Sequence, residues 1–181
     1  MTKKYTLATA GRILLFIGAV VLLSACTGVA PGMKPVSNFD VDRYLGKWYE
    51  IARLDHSFER GMNNVSAEYT KREDGGIRVL NRGYSVKNKA WEDAEGKAYF
   101  IAGPAVGHLK VSFFGPFYGS YVIAELDQED YQYAFVTSYN KKYLWLLARD
   151  TTVPQAVEDK FMTLARNNGY AVDELIFVEH D

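Results

Sequence analysis

Side chains that could carry out catalysis or hold a metal are few and far apart in this sequence. The histidines are His56, His108 and His180, and the single cysteine is Cys26. The sequence lacks the closely spaced histidine pair of zinc hydrolases and the Gly-x-Ser-x-Gly turn of serine hydrolases. The pair Gly75-Gly76 predicts a hairpin turn rather than a phosphate-binding loop. The sequence therefore predicts a protein that is not an enzyme and needs no metal or other cofactor.

Cys26 suggests a different chemistry, which is acylation of its thiol. The first residues are basic, with Lys3, Lys4 and Arg12, and an apolar run covers residues 13–23. This run is too short to span a bilayer comfortably and is typical of a signal peptide. It ends in Leu-Ser-Ala-Cys, which resembles the lipobox of bacterial lipoproteins. An ordinary signal peptide or an N-terminal membrane anchor remains the alternative.

The lipobox predicts three parts of the chain and a location. Residues 1–25 form a lipoprotein signal peptide, residues 26–37 form a lipidated cysteine with a Gly- and Pro-containing tether, and residues 38–181 form one domain. Residue 27 is threonine rather than the aspartate that favours retention at the inner membrane. We therefore expect lipid anchoring at the outer membrane, on its periplasmic face.

Charge argues against binding of nucleic acid. The whole chain has 21 basic and 22 acidic residues, and the predicted signal peptide contains three basic residues and no acidic ones. The mature chain is therefore net acidic, which gives it no electrostatic attraction to a phosphate backbone.

The domain alternates short β-type segments with turn residues at intervals of roughly ten residues. Such regular spacing with hairpin-length gaps predicts an all-β fold, an eight-stranded antiparallel up-and-down β-barrel wide enough for one small ligand. The barrel strands are predicted at Lys47–Leu54, Asn64–Arg72, Ile77–Ser85, Trp91–Ala102, His108–Phe114, Tyr118–Leu126, Tyr133–Thr137 and Tyr143–Arg149, and a short final strand at Leu175–Val178.

One C-terminal α-helix is predicted after the eighth strand. Thr152 and Gln155 have the spacing of a capping box, Pro154 suits the first turn, and Asn168-Gly169 is typical of a helix end. Because the apolar stripe of a lone helix must be covered, we expect the helix to pack on the outside of the barrel.

The domain resembles the lipocalin family, and its bacterial branch in particular. The first lipocalin signature resembles the segments Asn38–Asp40 and Tyr44–Arg53. The second signature usually lies where this chain has Asp127–Tyr133, although its residues are degenerate here. The arginine of the third signature is matched by the last residue of Leu147–Arg149. The resemblance covers nearly the whole mature chain. The segments that look most like the bacterial branch are Phe58–Gly61 and Phe113–Gly119.

The resemblance implies structural roles for three residues. Gly46 allows a tight turn beneath the barrel, Trp48 plugs the closed end, and Arg149 lies across the indole. A guanidinium over an aromatic ring contributes roughly 0.5–2 kcal/mol. The disulfide usual in the family is absent, since Cys26 has no partner.

Alternation along the strands predicts which side chains face the lumen of the barrel and which surround its open end. The lumen set is Glu50, Ala52, Leu54, Val111, Phe113, Tyr121, Ile123, Tyr143, Trp145 and Leu147. The set at the open end is His56, Phe58, Arg60, Trp91, Phe117, Tyr118 and Lys141.

Aromatic residues with interspersed basic ones suit a ligand with an apolar tail and a polar head. We expect a carrier or store for a fatty acid or lysophospholipid, serving membrane maintenance. Two alternatives remain open: an interaction protein whose barrel is filled and whose Phe-Phe-Gly-Pro-Phe loop grips a partner, and a haem binder that uses His56. A homodimer also remains open.

Overall fold

The computed structural model describes residues 27–181, so the predicted signal peptide and Cys26 lie outside the described residues. Eight antiparallel strands follow one another around a barrel, which closes where β1 pairs with both β8 and β2. The predicted eight-stranded up-and-down barrel is confirmed. The strands are β1 Gly46–Leu54, β2 Met62–Lys71, β3 Ile77–Ser85, β4 Ala90–Phe100, β5 His108–Ser112, β6 Gly119–Leu126, β7 Tyr133–Thr137 and β8 Leu144–Ala148.

Further elements precede and follow the eight barrel strands along the chain. Helix α1, Val41–Tyr44, precedes β1, and helix α2, Gln155–Asn167, follows β8. A 3-10 helix at Val172–Glu174 leads into β9, Leu175–Phe177, which pairs antiparallel with β1 as the predicted final strand. Within residues 27–181, no helix has the length and apolar content needed to cross a membrane.

The two ends of α2 compare differently with the sequence prediction. Asn168 caps the C-terminal end and Gly169 follows with a φ of 71°, so the predicted helix end is confirmed. The predicted capping box is wrong, because the N-cap residue is Pro154 and no side chain caps it. Thr152 lies two residues before this N-cap, and Gln155 donates hydrogen bonds to carboxylates of its own helix instead.

The alternating strand direction defines two ends of the barrel. The mouth loops, 55–61, 86–89, 113–118 and 138–143, join strands at the open end. The floor loops, 72–76, 101–107 and 127–132, join them at the closed end, where β1 begins and α1 lies.

The closed end is packed around Trp48, which is fully buried. Its Nε1 donates a hydrogen bond of 2.8 Å to the carbonyl oxygen of Tyr44 at the end of α1. The guanidinium carbon of Arg149 lies 4.0 Å from the centre of the Trp48 ring, the arrangement that the family resemblance implies. Gly46 enters β1 with a φ of 89°, a conformation that favours glycine.

Apolar side chains form two separate clusters. The inner cluster lies inside the barrel and includes Trp48, Tyr69 and Val136. The outer cluster lies between the barrel wall and α2, where the rings of Phe135 and Phe161 meet edge to face at 5.1 Å. The predicted position of the helix outside the barrel is confirmed.

The segment 27–37 packs on the barrel wall, so its interpretation as a tether is wrong for these residues. Ala30 and Met33 are buried in the outer cluster. The amide of Ala30 donates to the carbonyl of Ser138 at 3.0 Å, and that of Val36 donates to the carbonyl of Ile123 at 2.9 Å. Small and apolar residues in this segment therefore fill gaps between the strands and α2 instead of serving only as a spacer.

Candidate ligand-binding site

Most of the predicted lumen residues lie inside the barrel. Ile123 and Leu147 belong to the inner cluster, and Val111, Phe113, Tyr121 and Trp145 pack against it while remaining only half-buried. The ring of Tyr143 stacks on that of Trp145 at 5.9 Å and 16°, which places Tyr143 just above it at the mouth.

A bulge in β1 reverses part of the predicted pattern. Glu50 pairs with Leu147, but the register then shifts, and Ala52 pairs with Leu146. The prediction that Ala52 and Leu54 face the lumen is wrong, since both lie in the outer cluster beneath α2. Because the extra residue of a bulge inverts alternation, Arg53 faces inward in their place.

Three tyrosine hydroxyls form a polar layer low in the barrel. The hydroxyl of Tyr121 lies 2.8 Å from that of Tyr44 and 2.8 Å from that of Tyr69. Burial raises the pKa of all three phenols, so they remain neutral hydroxyls. The ring of Tyr44 packs on Trp48 at 4.7 Å, which joins the layer to the closed end and limits how deep a ligand can reach.

Above this layer, the lumen has an apolar wall on β5 and β6. Leu109 pairs with Tyr121, which places Val111 and Phe113 on the same inner face. A methyl group on Gly96 would lie 2.9 Å from the ring of Phe113, so the glycine makes room for the aromatic ring. The partial exposure of these inner side chains shows that they border space that solvent reaches.

The opposite wall is polar and is built from β1 and the mouth loop 55–61. Arg53 is 1% exposed, and its Nη1 donates to Glu50 Oε1 at 2.6 Å. Its Nη2 donates to the carbonyl oxygens of Glu59 at 2.8 Å and Met62 at 3.2 Å. Arg53 therefore ties the loop 55–61 to the strand that precedes it.

Glu59 lies at the upper end of this polar wall, next to the mouth. Its Oε2 accepts a hydrogen bond from Trp145 Nε1 at 3.1 Å and lies 2.9 Å from His56 Nε2. The rings of Trp145 and Phe58 lie 5.1 and 5.9 Å from the His56 ring. His56 Nδ1 is buried with no hydrogen-bond partner, so the mouth holds an unsatisfied polar atom.

The two buried carboxylates differ in their affinity for protons. Burial raises the pKa of Glu50, the charge of Glu59 raises it further, and Arg53 offsets only part of this. Burial also acts against ionisation of Glu59, but its contacts with His56, Glu50 and Trp145 outweigh this and lower its pKa. Of the two carboxyl groups, Glu50 therefore binds a proton more readily than Glu59.

Several residues predicted at the mouth point elsewhere. The prediction is wrong for Trp91, whose ring packs with Tyr84 on the outer face of the sheet, and for Tyr118, which lies under Lys110 on that face. Lys141 Nζ lies within 3.4 Å of where a methyl group on Gly169 would be, so it points to the end of α2.

The other mouth residues are placed as predicted. Phe58 and Phe117 are 64% and 74% exposed, and Arg60 pairs with Asp55 at 2.7 Å on the surface. His56 lies among them but is buried, and its Nε2 lies 2.9 Å from a carboxylate oxygen of Glu59.

The functional candidates that sequence reasoning missed are Arg53, Tyr44 and Tyr69. One signal was present in β1, where the polar residues Glu50 and Arg53 are three apart with two apolar residues between them. That spacing breaks strict alternation and is what a bulge produces. The tyrosines carried no comparable signal, since an aromatic residue on an inner face is compatible with simple packing.

Comparison with known proteins places this barrel among relatives. Residues 39–180 match the family model described as a lipocalin-like domain. The chain is 56% identical over 168 residues to the outer membrane lipoprotein Blc of Vibrio cholerae, covering 93% of this chain and 98% of the relative. It is 46% identical over 163 residues to the outer membrane lipoprotein Blc of Escherichia coli K12, covering 89% and 92%.

Solved structures agree on the fold. The structure of insecticyanin from the tobacco hornworm Manduca sexta superimposes with a TM-score of 0.68 at 22% sequence identity, covering 85% of this chain and 87% of that one. At this level of identity the similarity concerns the barrel and its helix, not the ligand.

Proposed function

Because the chain belongs to the lipocalin family, we propose that its barrel binds one amphiphilic molecule of the fatty acid or lysophospholipid class at the outer membrane. The protein then acts as a carrier or store and not as an enzyme. The observation that carries this proposal is the division of the lumen into an apolar wall and a polar wall, which suits a molecule with an apolar tail and a polar head.

The tail fits the apolar wall. The half-buried side chains of Val111, Phe113 and Trp145 offer carbon surface above the tyrosine layer. Each methylene that leaves water for such a surface stabilises a complex by up to about 0.8 kcal/mol. The tyrosine hydroxyls set a lower limit to the lumen, so this gain should stop once the tail reaches them.

The head must remain near the mouth, because burying an unpaired charge is costly. There it meets His56, whose Nδ1 lacks a partner, and Arg60 on the surface. Arg53 lies deeper, and its guanidinium is already engaged by Glu50 and two carbonyl groups. An uncharged or zwitterionic head therefore suits this end better than a second carboxylate placed beside Glu59.

The location follows from the relatives and the N-terminal sequence together. The Vibrio cholerae and Escherichia coli relatives are outer membrane lipoproteins by name. Cys26 follows the lipobox-like residues and precedes the described part of the chain by one residue. Lipidation there would hold the barrel at a membrane, where amphiphiles of this class are found.

The binding proposal is tested with single-chain amphiphiles of increasing length. Trp145→Ala should weaken long-chain ligands whatever their head group, because it removes contact with the tail. Trp91→Ala is the matched control, since Trp91 lies on the outer face and should leave affinity unchanged. Binding is followed by calorimetry, because Trp145→Ala removes the tryptophan that lines the lumen and with it the natural fluorescent reporter. Affinity that does not depend on chain length, or equal losses in both variants, would contradict the proposal.

A second experiment tests whether the polar head of the ligand lies at the mouth. Arg60→Gln should weaken anionic ligands slightly and leave neutral ones unchanged, and added salt should have the same effect, since surface charges are screened. Its effect should be small because Arg60 is already paired with Asp55. Light scattering of the purified protein would test the homodimer that the sequence leaves open.

A further inference from the structure

We propose that Asn81, on the inner face of β3, donates a hydrogen bond to an uncharged oxygen of the ligand inside the lumen, and that the tyrosine layer supplies a second donor. This role rests on the proposed function, since it needs an amphiphile in the lumen. Three observations carry it: the direction of the Asn81 side chain, the hydrogen bonds that its amide lacks, and a surplus proton in the tyrosine layer.

The strand β3 places Asn81 inside the barrel. The register of β3 with β4 is continuous from Ile77 to Ser85, so no bulge reverses the alternation of its side chains. Val79 lies in the inner cluster, whereas the guanidinium of Arg82 lies over the Trp91 ring on the outer face. Because residues two apart on a strand share a face, Asn81 points into the lumen with Val79.

Small side chains leave space around Asn81. Its partners on the neighbouring strands are Ala67 on β2 and Ala94 on β4, which lie on the same face because directly opposite residues point the same way. Ala94 is exposed and Asn81 is half-buried, although both face the lumen. Solvent therefore reaches this wall of the lumen, and a ligand that displaces the solvent would contact Asn81.

The side-chain amide of Asn81 has no protein partner. Within residues 27–181, neither its Nδ2 nor its Oδ1 makes a hydrogen bond. An amide carries two N–H donors, and a donor that loses water without gaining an acceptor is costly. Once the tail of a ligand excludes solvent from the lumen, this cost falls on Asn81 unless the ligand itself brings an acceptor.

The tyrosine layer has more protons than acceptors for them. Its three hydroxyls form the two contacts of Tyr121 with Tyr44 and with Tyr69, and no other hydrogen bond in the described part of the chain. Whichever hydroxyls donate, one of the three O–H protons remains without an acceptor. Since Tyr69 pairs with Val79, it is a diagonal neighbour of Asn81, with its Cα roughly 7–8 Å away. This part of the lumen is therefore rich in donors.

Burial and charge restrict the matching ligand group to an uncharged one. Burial raises the pKa of Tyr69, and the carboxyl groups of Glu59 and Glu50 raise it further. A carboxylate at this depth would lose its hydration and meet the same two carboxyl groups. A carbonyl oxygen avoids both penalties, and its two lone pairs can accept from Asn81 and from a tyrosine hydroxyl. Such an oxygen belongs either to the ester that joins an acyl chain to its head or to an oxo group within the chain.

The test compares ligands that differ by one carbonyl group. One pair is stearate and its derivative with an oxo group in the middle of the chain. The other pair is a stearoyl lysophosphatidylethanolamine and its ether-linked analogue, which keeps the head and lacks the ester carbonyl. We expect the delipidated protein to bind the carbonyl-bearing member of at least one pair roughly 2- to 10-fold more tightly in calorimetry, as a net hydrogen bond provides. The pair that shows the preference identifies the source of the oxygen.

Variants assign the preference to the lumen residues. Asn81→Leu keeps the size of the side chain, so it should abolish the preference and leave the carbonyl-free ligands bound as tightly or more tightly. Changing Tyr44, Tyr69 and Tyr121 together to phenylalanine should reduce the preference, and the fold should tolerate it because all partners become apolar at once. Asn167→Leu, at an exposed position of α2, is the matched control and should keep the preference. A preference that either lumen variant leaves unchanged, or that the control also loses, would overturn the proposal.

Infrared spectroscopy of the bound ligand tests the same hydrogen bond in the unaltered protein. The isotope-labelled carbonyl of the tighter ligand should absorb at the lower frequency of a hydrogen-bonded group, and a frequency typical of an apolar solvent would overturn the proposal. Equal affinity within both pairs would also overturn it, while the carrier function would stand because all four ligands still bind. Failure of all four ligands to bind would reject the proposed function and the role of Asn81 with it.

Discussion

The closed and open ends of this barrel are built in opposite ways. At the closed end, Trp48 is fully buried, and Arg149 donates hydrogen bonds to three backbone carbonyls while covering the indole. At the open end, buried charges are paired incompletely, and both Arg53 Nε and His56 Nδ1 lack partners. The difference indicates that the closed end stabilises the fold, whereas the open end retains polar groups for contact with a ligand.

The largest effect is expected at the closed end. Trp48→Ala should lower the free energy of unfolding by roughly 3–5 kcal/mol through loss of buried surface and creation of a cavity. Denaturant titration measures it. Trp91→Ala, at a half-exposed position on the outer face, is the control and should cost less than about 1 kcal/mol. Equal shifts in both variants would show that the closed end has no special role.

A comparable loss is expected where the mouth is tied to β1. Arg53→Met removes one member of a buried ion pair, which costs on the order of 3 kcal/mol. Because the cost comes from leaving Glu50 unpaired, Glu50→Leu should restore much of the stability in the double variant. A double variant as unstable as Arg53→Met alone would mean that the hydrogen bonds of Arg53 to loop 55–61, and not the ion pair, dominate.

Arg149→Lys should have a smaller effect, of about 2 kcal/mol, although it preserves the charge. Lysine has no planar group to lie over Trp48 and cannot reach three carbonyl oxygens at once. Thermal unfolding compares it with Lys47→Arg, a surface substitution that should be neutral. Full stability of Arg149→Lys would show that positive charge alone suffices at the closed end.

The smallest effects are those of pH on the free energy of unfolding. Glu59 and Glu50 should change this free energy in opposite directions as the pH rises. The pKa of Glu59 is lowered in the folded protein, so its contribution is present above the ordinary value of 4.5 and is lost as pH falls through the folded pKa. The pKa of Glu50 is raised, so stability falls as pH rises above 4.5 toward the folded value.

Isosteric variants separate the contributions of Glu59 and Glu50 to the dependence of stability on pH. Glu59→Gln should abolish the loss of stability on acidification, and Glu50→Gln should abolish the loss on raising the pH. Unfolding free energies measured across the acidic range check both. Identical pH profiles for the two variants would contradict the opposite shifts of the two pKa values.

The sequence predicts the closed end better than the open end, and the reason is physical. Gly46, Trp48 and Arg149 lie in the segments Tyr44–Arg53 and Leu147–Arg149, which match lipocalin signatures, so the family resemblance implied their roles. The lumen side of β1 depends on a bulge between Glu50 and Ala52, which a pattern of alternation cannot show. The packing of residues 27–37 depends on gaps between distant strands and α2, and no local pattern reports such gaps.

The strands themselves were predictable nearly to the residue. Ile77–Ser85 and Tyr133–Thr137 have the predicted bounds, and the others differ by one or two residues at one or both ends. The direction of side chains at the mouth could not be predicted in the same way. Trp91 and Tyr118 lie near strand ends, where an error of one residue in the alternation places a ring on the outer face instead of the inner one.

The central claim, that the lumen holds an amphiphile, is tested most directly by mass spectrometry of the lipids that accompany the purified lipidated protein without covalent attachment. Native mass spectra of the intact complex give the number bound, and an organic extract gives their identity. The account predicts one single-chain amphiphile per barrel in the unaltered protein and in Trp91→Ala, and a marked loss in Trp145→Ala. A barrel that carries no such molecule, and takes up none when offered a series of acyl chains, would contradict it.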